Sequence, residues 1–129
     1  MSGKYLLDTN IIIALFANDP VVVNKLFSIR QVFVPVIVVG ELYYGVSKSS
    51  HKQANSLVLE TFVIKSQVVY PDIDTAKQYG QIKEMLRSAG RPIPENDIWI
   101  AALARQHNFS LCSRDQHFRN IKGLKAVTW

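Results

Sequence analysis

Cysteine is nearly missing from this 129-residue chain. With Cys112 alone there is no internal disulfide, so a reducing, cytoplasmic setting is the default expectation. Runs long enough to span a membrane are also missing. The longest apolar stretches, around Ile11 to Ala17 and Val32 to Gly40, fall well short of the roughly 20 residues a spanning helix needs. The start has no signal-type core, because Asp8 interrupts its apolar run early. Histidine is scarce. His51, His107 and His117 lack ligand spacing to one another, so each is expected at the surface or at a helix end and not on zinc. The chain contains no Gly-rich phosphate loop, no nucleophile elbow and no dinucleotide fingerprint. Internal repeats and low-complexity segments are lacking as well. These absences argue against a disulfide-stapled secreted domain, a membrane protein, a zinc enzyme and the common nucleotide-binding and serine-hydrolase classes. Cys112 itself, in an apolar strand with no nearby histidine, reads as a small core residue and not as a nucleophile.

What is present suits one domain, residues 1–129, with 48 % hydrophobic residues and enough length to bury a core. The formal net charge is +5, and eight of the 15 Lys and Arg residues fall from Lys83 onward. A basic surface either aids solubility or prepares the protein for a polyanion such as nucleic acid.

Strand and helix patterns alternate along the chain. Lys4-Tyr5-Leu6-Leu7 reads as a buried parallel strand, followed by a helix through Ile11, Ile12, Leu15 and Phe16 with Asn10 as its expected cap. Asp19-Pro20 opens a second helix to about Arg30. Val32-Phe33-Val34 is a strand ended by Pro35. Val36 to Val46 is β-rich by propensity but broken by Gly40 to Gly45, and is expected to be a buried helix. A helix from Lys52 to Lys65, opened by Ser49 or Ser50, leads to the strand Val68-Val69-Tyr70. Asp72 or Asp74 then caps a long amphipathic helix ended by Gly90. After the extended Arg91 to Pro94, a small-residue helix is expected over Ile98 to His107 with Asn108 as its stop. Leu111-Cys112 is a strand, Gln116 to Arg119 a helical turn, and Leu124 to Trp129 the last strand. The pattern predicts a three-layer α/β/α sandwich with a mostly parallel central sheet.

Four acids stand out against this framework. Asp8 follows the first strand, and with Asn10 better placed to cap, it is left at the sheet edge where open α/β folds bind ligands. Glu41 is either the one solvated position of an amphipathic helix or a buried acid that needs a partner, a metal or a proton. Asp97 begins a helix at which Glu95 and Asn96 compete to cap, and it shares a face with Ile100, Ala101 and Ala104. Asp115 follows Leu111-Cys112 much as Asp8 follows its strand, with Ser113 and Gln116 forming the expected capping box. Four carboxylates meeting at one point would repel, and some would stay protonated without a cation. Oxygen ligands with no paired His or Cys select Mg²⁺ or Mn²⁺ over zinc.

Leu7-Asp8-Thr9-Asn10, Glu41-Leu42 with Gly45, Asn96-Asp97 with Ile100-Ala101-Ala102, and Ser113-Arg114-Asp115 together resemble the PIN-domain nucleases. Within them the chain is most similar to the VapC-type toxins of prokaryotic toxin–antitoxin pairs. The resemblance covers essentially the whole chain and implies a PIN-like α/β sandwich and a Mg²⁺-dependent endoribonuclease, with Mn²⁺ able to substitute. It implies that Asp8, Asp97 and Asp115 hold metal and that Glu41 completes the site directly or through water. Asn10 and Ser113 would orient those carboxylates. Metal would activate water for in-line attack on an RNA phosphodiester, leaving 5′-phosphate and 3′-hydroxyl ends. Implied partners are the RNA substrate, a cognate antitoxin, a second copy in a homodimer, and DNA only through the antitoxin. Apolar stretches at Ile11 to Phe16, Val21 to Val23 and Val36 to Tyr44 are consistent with such interfaces. Lys83, Arg87 and Arg114, near Asp97 and Asp115 in sequence, are the expected phosphate contacts.

Other readings explain less. A receiver-type signalling domain would use Asp72 as phosphoacceptor, but needs an acid pair where the first strand offers Asp8 with Asn10. A phosphoaspartate-forming phosphatase fails at the same point. A PIN-like module that only binds leaves the full set of four acids without a purpose. A PIN nuclease of RNA processing, outside toxin–antitoxin systems, shares all these residues.

Overall fold

The computed structural model describes residues 3–129. The chain runs β1 (Lys4–Leu7), α1 (Thr9–Phe16), α2 (Pro20–Phe27), β2 (Gln31–Pro35), α3 (Val36–Lys48), α4 (Lys52–Lys65), β3 (Gln67–Val69), α5 (Ile73–Ser88), α6 (Glu95–His107), β4 (Ser110–Cys112) and β5 (Lys125–Val127). A short 3₁₀ turn, Gln116–Phe118, lies between the last two strands. The five strands form one sheet in the order β3-β2-β1-β4-β5, and all four pairings are parallel.

That order places the site. From β1 the chain walks outward to β2 and β3, then returns through α5 and α6 to build β4 and β5 on the other side of β1. Parallel crossovers are right-handed, so the helices of the two legs fall on opposite faces and produce the sandwich. Beyond the C-terminal ends of β1 and β4 the two legs diverge, and the crevice left there is where such sheets bind ligands. Asp8 emerges directly from β1. Its N–H still donates to the Cys112 carbonyl at 3.0 Å, and the Ser113 N–H donates to Val127 at 3.0 Å. The sheet ladder thus runs up to the floor of the crevice.

Beneath that floor Leu6, Leu7, Ile11, Ile12, Val38, Ile100, Leu103 and Leu111 form a continuous buried core. Helix α6 is buried over Ile98 and from Ile100 to Ala104, and its alanines bring the helix close to the sheet. Asp97 lies on the inward side with them, as the 3.6-residue period requires. Helix α5 is fastened to α6 by polar side chains as well as packing. Arg105 donates to Gln78 at 2.6 Å and to Gln81 at 2.8 Å, and the Thr75 hydroxyl donates to Gln106. Those contacts fix the end of α6, and at its start, beside Asp97, Glu95 accepts from the Tyr79 hydroxyl and the Lys83 ammonium of α5.

Several local expectations change. Helix α6 begins at Glu95, not Ile98, and no side chain caps it. Pro94 supplies a preset φ, and Glu95 and Asp97 in the first turn favour the positive end of the helix dipole. Neither Ser49 nor Ser50 caps α4; Ser49 ends α3, its hydroxyl donating to the Val46 carbonyl at 2.8 Å. Helix α3 forms despite its valines, because Val38, Val39 and Leu42 bury one helical face against the core. The last strand is shorter than expected, Lys125 to Val127.

Candidate active site

Asp8 is not the free carboxylate that the sequence suggests. It is the N-cap of α1, its Oδ1 accepting from the Thr9 N–H at 2.8 Å. Asn10, the expected cap, lies inside the helix and faces the crevice. Its amide donates to the Ser113 hydroxyl at 3.2 Å and, over a longer 3.4 Å, to Asp8 Oδ2. Its carbonyl oxygen accepts from the Arg114 N–H at 3.1 Å. The Ser113 hydroxyl then donates to Asp8 Oδ2 at 2.6 Å. One short network therefore ties the exit of β1 to the exit of β4.

Ser113 does not cap the following turn either. Asp115 does, accepting from the His117 N–H at 2.9 Å, while the Ser113 hydroxyl accepts from the Asp115 N–H at 3.0 Å. Both corrections have one cause. Two polar side chains near a helix start compete for its free N–H groups, and contacts to distant segments decide the winner.

Glu41, on the inner side of α3 and half-buried, accepts from the Thr9 hydroxyl at 2.8 Å. Asp97 and Asp115 approach from the opposite wall. Between them lies His117, its Nδ1 2.8 Å from Asp97 Oδ2 and 3.1 Å from Asp115 Oδ1. Sequence spacing gave no reason to place His117 here. The available signal was its position two residues after Asp115, where a tight turn folds a side chain back over its own cap.

The electrostatics show how close the acids stand. Burial pushes the Asp8 carboxyl above the ordinary carboxylate value, the Ser113 and Thr9 hydrogen bonds pull against it, and the charges of Asp97 and Glu41 add to the rise. Burial likewise raises Asp97, opposed by its hydrogen bond to His117 and reinforced by Asp115 and Glu41. The Asp97 hydrogen bond in turn raises His117. The four acids come from four separate segments, and two of them, Asp8 and Asp97, feel the charges of the others.

Such a site resists its own full ionisation, and a divalent cation removes that resistance. The donors are carboxylate oxygens and one imidazole. Among the described residues, ligand atoms of Asp97, Asp115 and His117 all lie within 4.8 Å of one another, a grouping able to hold an ion. The residues present fit a metal. The buried Cys112 thiol, pushed up to about 12 by desolvation, stays protonated and offers no competing nucleophile.

The three expected phosphate contacts are each engaged with protein groups. Lys83 pairs with Glu95 and reaches the Tyr79 hydroxyl at 3.1 Å. Arg87 pairs with Glu84 on the outer face of α5 at 2.6 Å. Arg114, beside Asp115, binds Asp19 at 2.9 Å and the Trp129 carbonyl at 2.8 Å.

A parallel sheet with this strand order and an acid cluster at its switch point defines the class, and the chain belongs to the PIN-domain family, whose model matches residues 5–124. Its relatives within that family include ribonucleases called VapC. Ribonuclease VapC2 of Haemophilus influenzae is 35 % identical over 129 residues, covering 98 % of each chain. The tRNA(fMet)-specific endonuclease VapC of Shigella flexneri is 33 % identical over 129 residues, again covering 98 % of each. Among solved structures, VapBC2 of Rickettsia felis bound to a promoter DNA fragment superposes with a TM-score of 0.90 at 29 % identity, covering 98 % of both chains. Among the described residues no single helix is long and apolar enough to cross a membrane.

Proposed function

We propose that this chain is a metal-dependent endoribonuclease and the toxin of a VapBC-type toxin–antitoxin pair. The observation that carries the reading is the meeting of Asp8, Glu41, Asp97 and Asp115 at the β1/β4 crevice, in a chain similar along nearly its whole length to VapC ribonucleases.

Asp8, Asp97 and Asp115 would hold Mg²⁺, with Mn²⁺ able to substitute, and Glu41 would complete the site directly or through water. When bound, the ion supplies the charge that activates water against an RNA phosphodiester and offsets the negative charge of the transition state. The chain's own residues set the geometry. Ser113 and Asn10 hold one Asp8 oxygen in place, the Thr9 N–H holds the other, and the Thr9 hydroxyl aims Glu41. A cluster of bare carboxylates repels the RNA backbone. Arg114 at the rim, with Lys83 and Arg87 on α5, would counter that repulsion and hold phosphates.

The antitoxin is the partner best suited to the apolar side chains left exposed near the site. Ile13 and Phe16 of α1, with Leu42 and Val46 of α3 and Val58 and Leu59 of α4, line a groove that opens beside Glu41. An apolar segment laid there would cover the catalytic edge. The reading also takes the chain to work as one nuclease domain in the cytoplasm, as a homodimer, meeting DNA only through the antitoxin.

The test compares purified, antitoxin-free protein with its Asp8→Asn variant on total cellular RNA in Mg²⁺, in Mn²⁺ and in chelator. Discrete fragments from the native protein, lost in the variant and in chelator, are the expected result. A folded, antitoxin-free native protein that leaves RNA intact in either metal overturns the reading.

A further inference from the structure

We propose that His117 is a direct ligand of the divalent cation, so that the site binds through an imidazole as well as carboxylates; this rests on the metal-dependent reading above. The sequence points to oxygen ligands alone. The fold adds nitrogen.

The ring is held in place and not merely nearby. The 3₁₀ turn that carries it is anchored below by Phe118, only 2 % exposed, and closed above by the His117 N–H donating to Asp115 Oδ1. Asp115 and the imidazole therefore leave the same turn towards the same point, while Asp97 meets them from α6. One Nδ1 stands 2.8 Å from Asp97 Oδ2 and 3.1 Å from Asp115 Oδ1. An imidazole nitrogen carries at most one proton and directs it along one line, so it serves two carboxylates poorly. A cation shared by the three atoms serves all of them. Adjacent ligands about 2.1 Å from one ion stand about 3 Å apart, and both edges seen here match that spacing. Coordination through Nδ1 leaves Nε2 as the protonated nitrogen, on a ring whose side chain is 45 % exposed.

The consequence is selectivity. Carboxylates and water suit Mg²⁺, whereas imidazole shifts preference towards Mn²⁺ and later first-row ions. Lost affinity in a His117 variant would not by itself distinguish a ligand from a residue that orients one, because either role is worth roughly 10- to 100-fold. The decisive readout is spectroscopic. Pulsed electron paramagnetic resonance of the native protein loaded with Mn²⁺ should show nitrogen modulation from a directly bonded imidazole. That modulation should disappear in a folded His117→Gln variant, and the ratio of Mn²⁺ to Mg²⁺ affinity should fall about tenfold. Bound Mn²⁺ without nitrogen coupling in the native protein overturns the proposal and leaves the nuclease reading intact. So does coupling that persists in His117→Gln, or an unchanged affinity ratio. Failure of the native protein to bind Mn²⁺ at all overturns both.

Discussion

Asp8 meets the Thr9 N–H, the Ser113 hydroxyl and the Asn10 amide, whereas across the crevice Asp97 and Asp115 share the single ring of His117. The donors to Asp8 are neutral and tied to secondary structure: the first turn of α1 and the exit of β4. They are supplied by the fold itself. The other wall balances two acids against one group that can lose its charge. Burial raises both Asp8 and Asp97, but of the two only Asp97 is hydrogen-bonded to a group that carries positive charge when protonated. One wall is thus preorganised by the fold, and the other is completed by whatever positive charge enters it.

Removing a carboxylate from either wall is the severest way to break that contrast. Asp8→Asn and Asp97→Asn should each lower RNA cleavage on the order of a thousandfold or more, because several kcal/mol of charge stabilisation are lost; single-turnover cleavage of a mapped RNA measures it. Ser113→Ala attacks chiefly the preorganised wall. It takes away the 2.6 Å donor to Asp8 and the acceptor of both Asn10 and the Asp115 N–H. Metal affinity should drop roughly 10- to 100-fold by titration calorimetry, with the secondary structure intact by circular dichroism.

Proton linkage separates the walls more gently. Groups whose folded pKa is raised contribute stability below their unfolded values and lose it as pH rises through the folded values. Asp8, Asp97 and His117 are all raised, whereas Asp19, Asp72, Glu84 and Glu95 are lowered and add stability with rising pH only up to about pH 5. In chelator the melting temperature should therefore fall as pH climbs from about 5.5 through neutrality. Divalent ion should flatten that slope and raise the melting temperature by several degrees at about a hundredfold excess over Kd. Asp8→Asn should flatten part of the slope without metal. A metal-free slope of opposite sign would contradict the raised carboxyls. The smallest effects belong to the rim. Lys83→Ala, Arg87→Ala and Arg114→Ala should each weaken RNA binding a few-fold and reduce the salt slope by about 1, as measured by filter binding at graded salt.

Local chemistry made much of the fold legible. Asp19 with Pro20 starts α2, Asp72 closes a capping box with Thr75 at the head of α5, and Asn108 ends α6 at a φ of 58°. These are interactions within a turn, and composition is enough to find them. The misreadings at Asn10 and Ser113 share a feature. Each residue is capable of capping, but each is recruited by a partner more than 100 positions away, Ser113 for Asn10 and Asp8 for Ser113. His117, expected at the surface or a helix end, meets Asp97 and Asp115 for a related reason. Its distance to Asp97 depends on where β4 places the turn relative to α6, and no spacing rule along the chain expresses that.

The sequence by itself determined which segments become strands and which become helices, because periodic burial and turn residues act over a few positions. It also determined that Asp8, Asp97 and Asp115 stand at the ends of such segments. Only the tertiary structure decided that the sheet runs β3-β2-β1-β4-β5, that β4 lies beside β1, and that an imidazole joins the acids there. Parallel strands pair across long crossovers, so residues of distant segments become neighbours only when the sheet closes, and each polar group then takes the partner that geometry puts within reach.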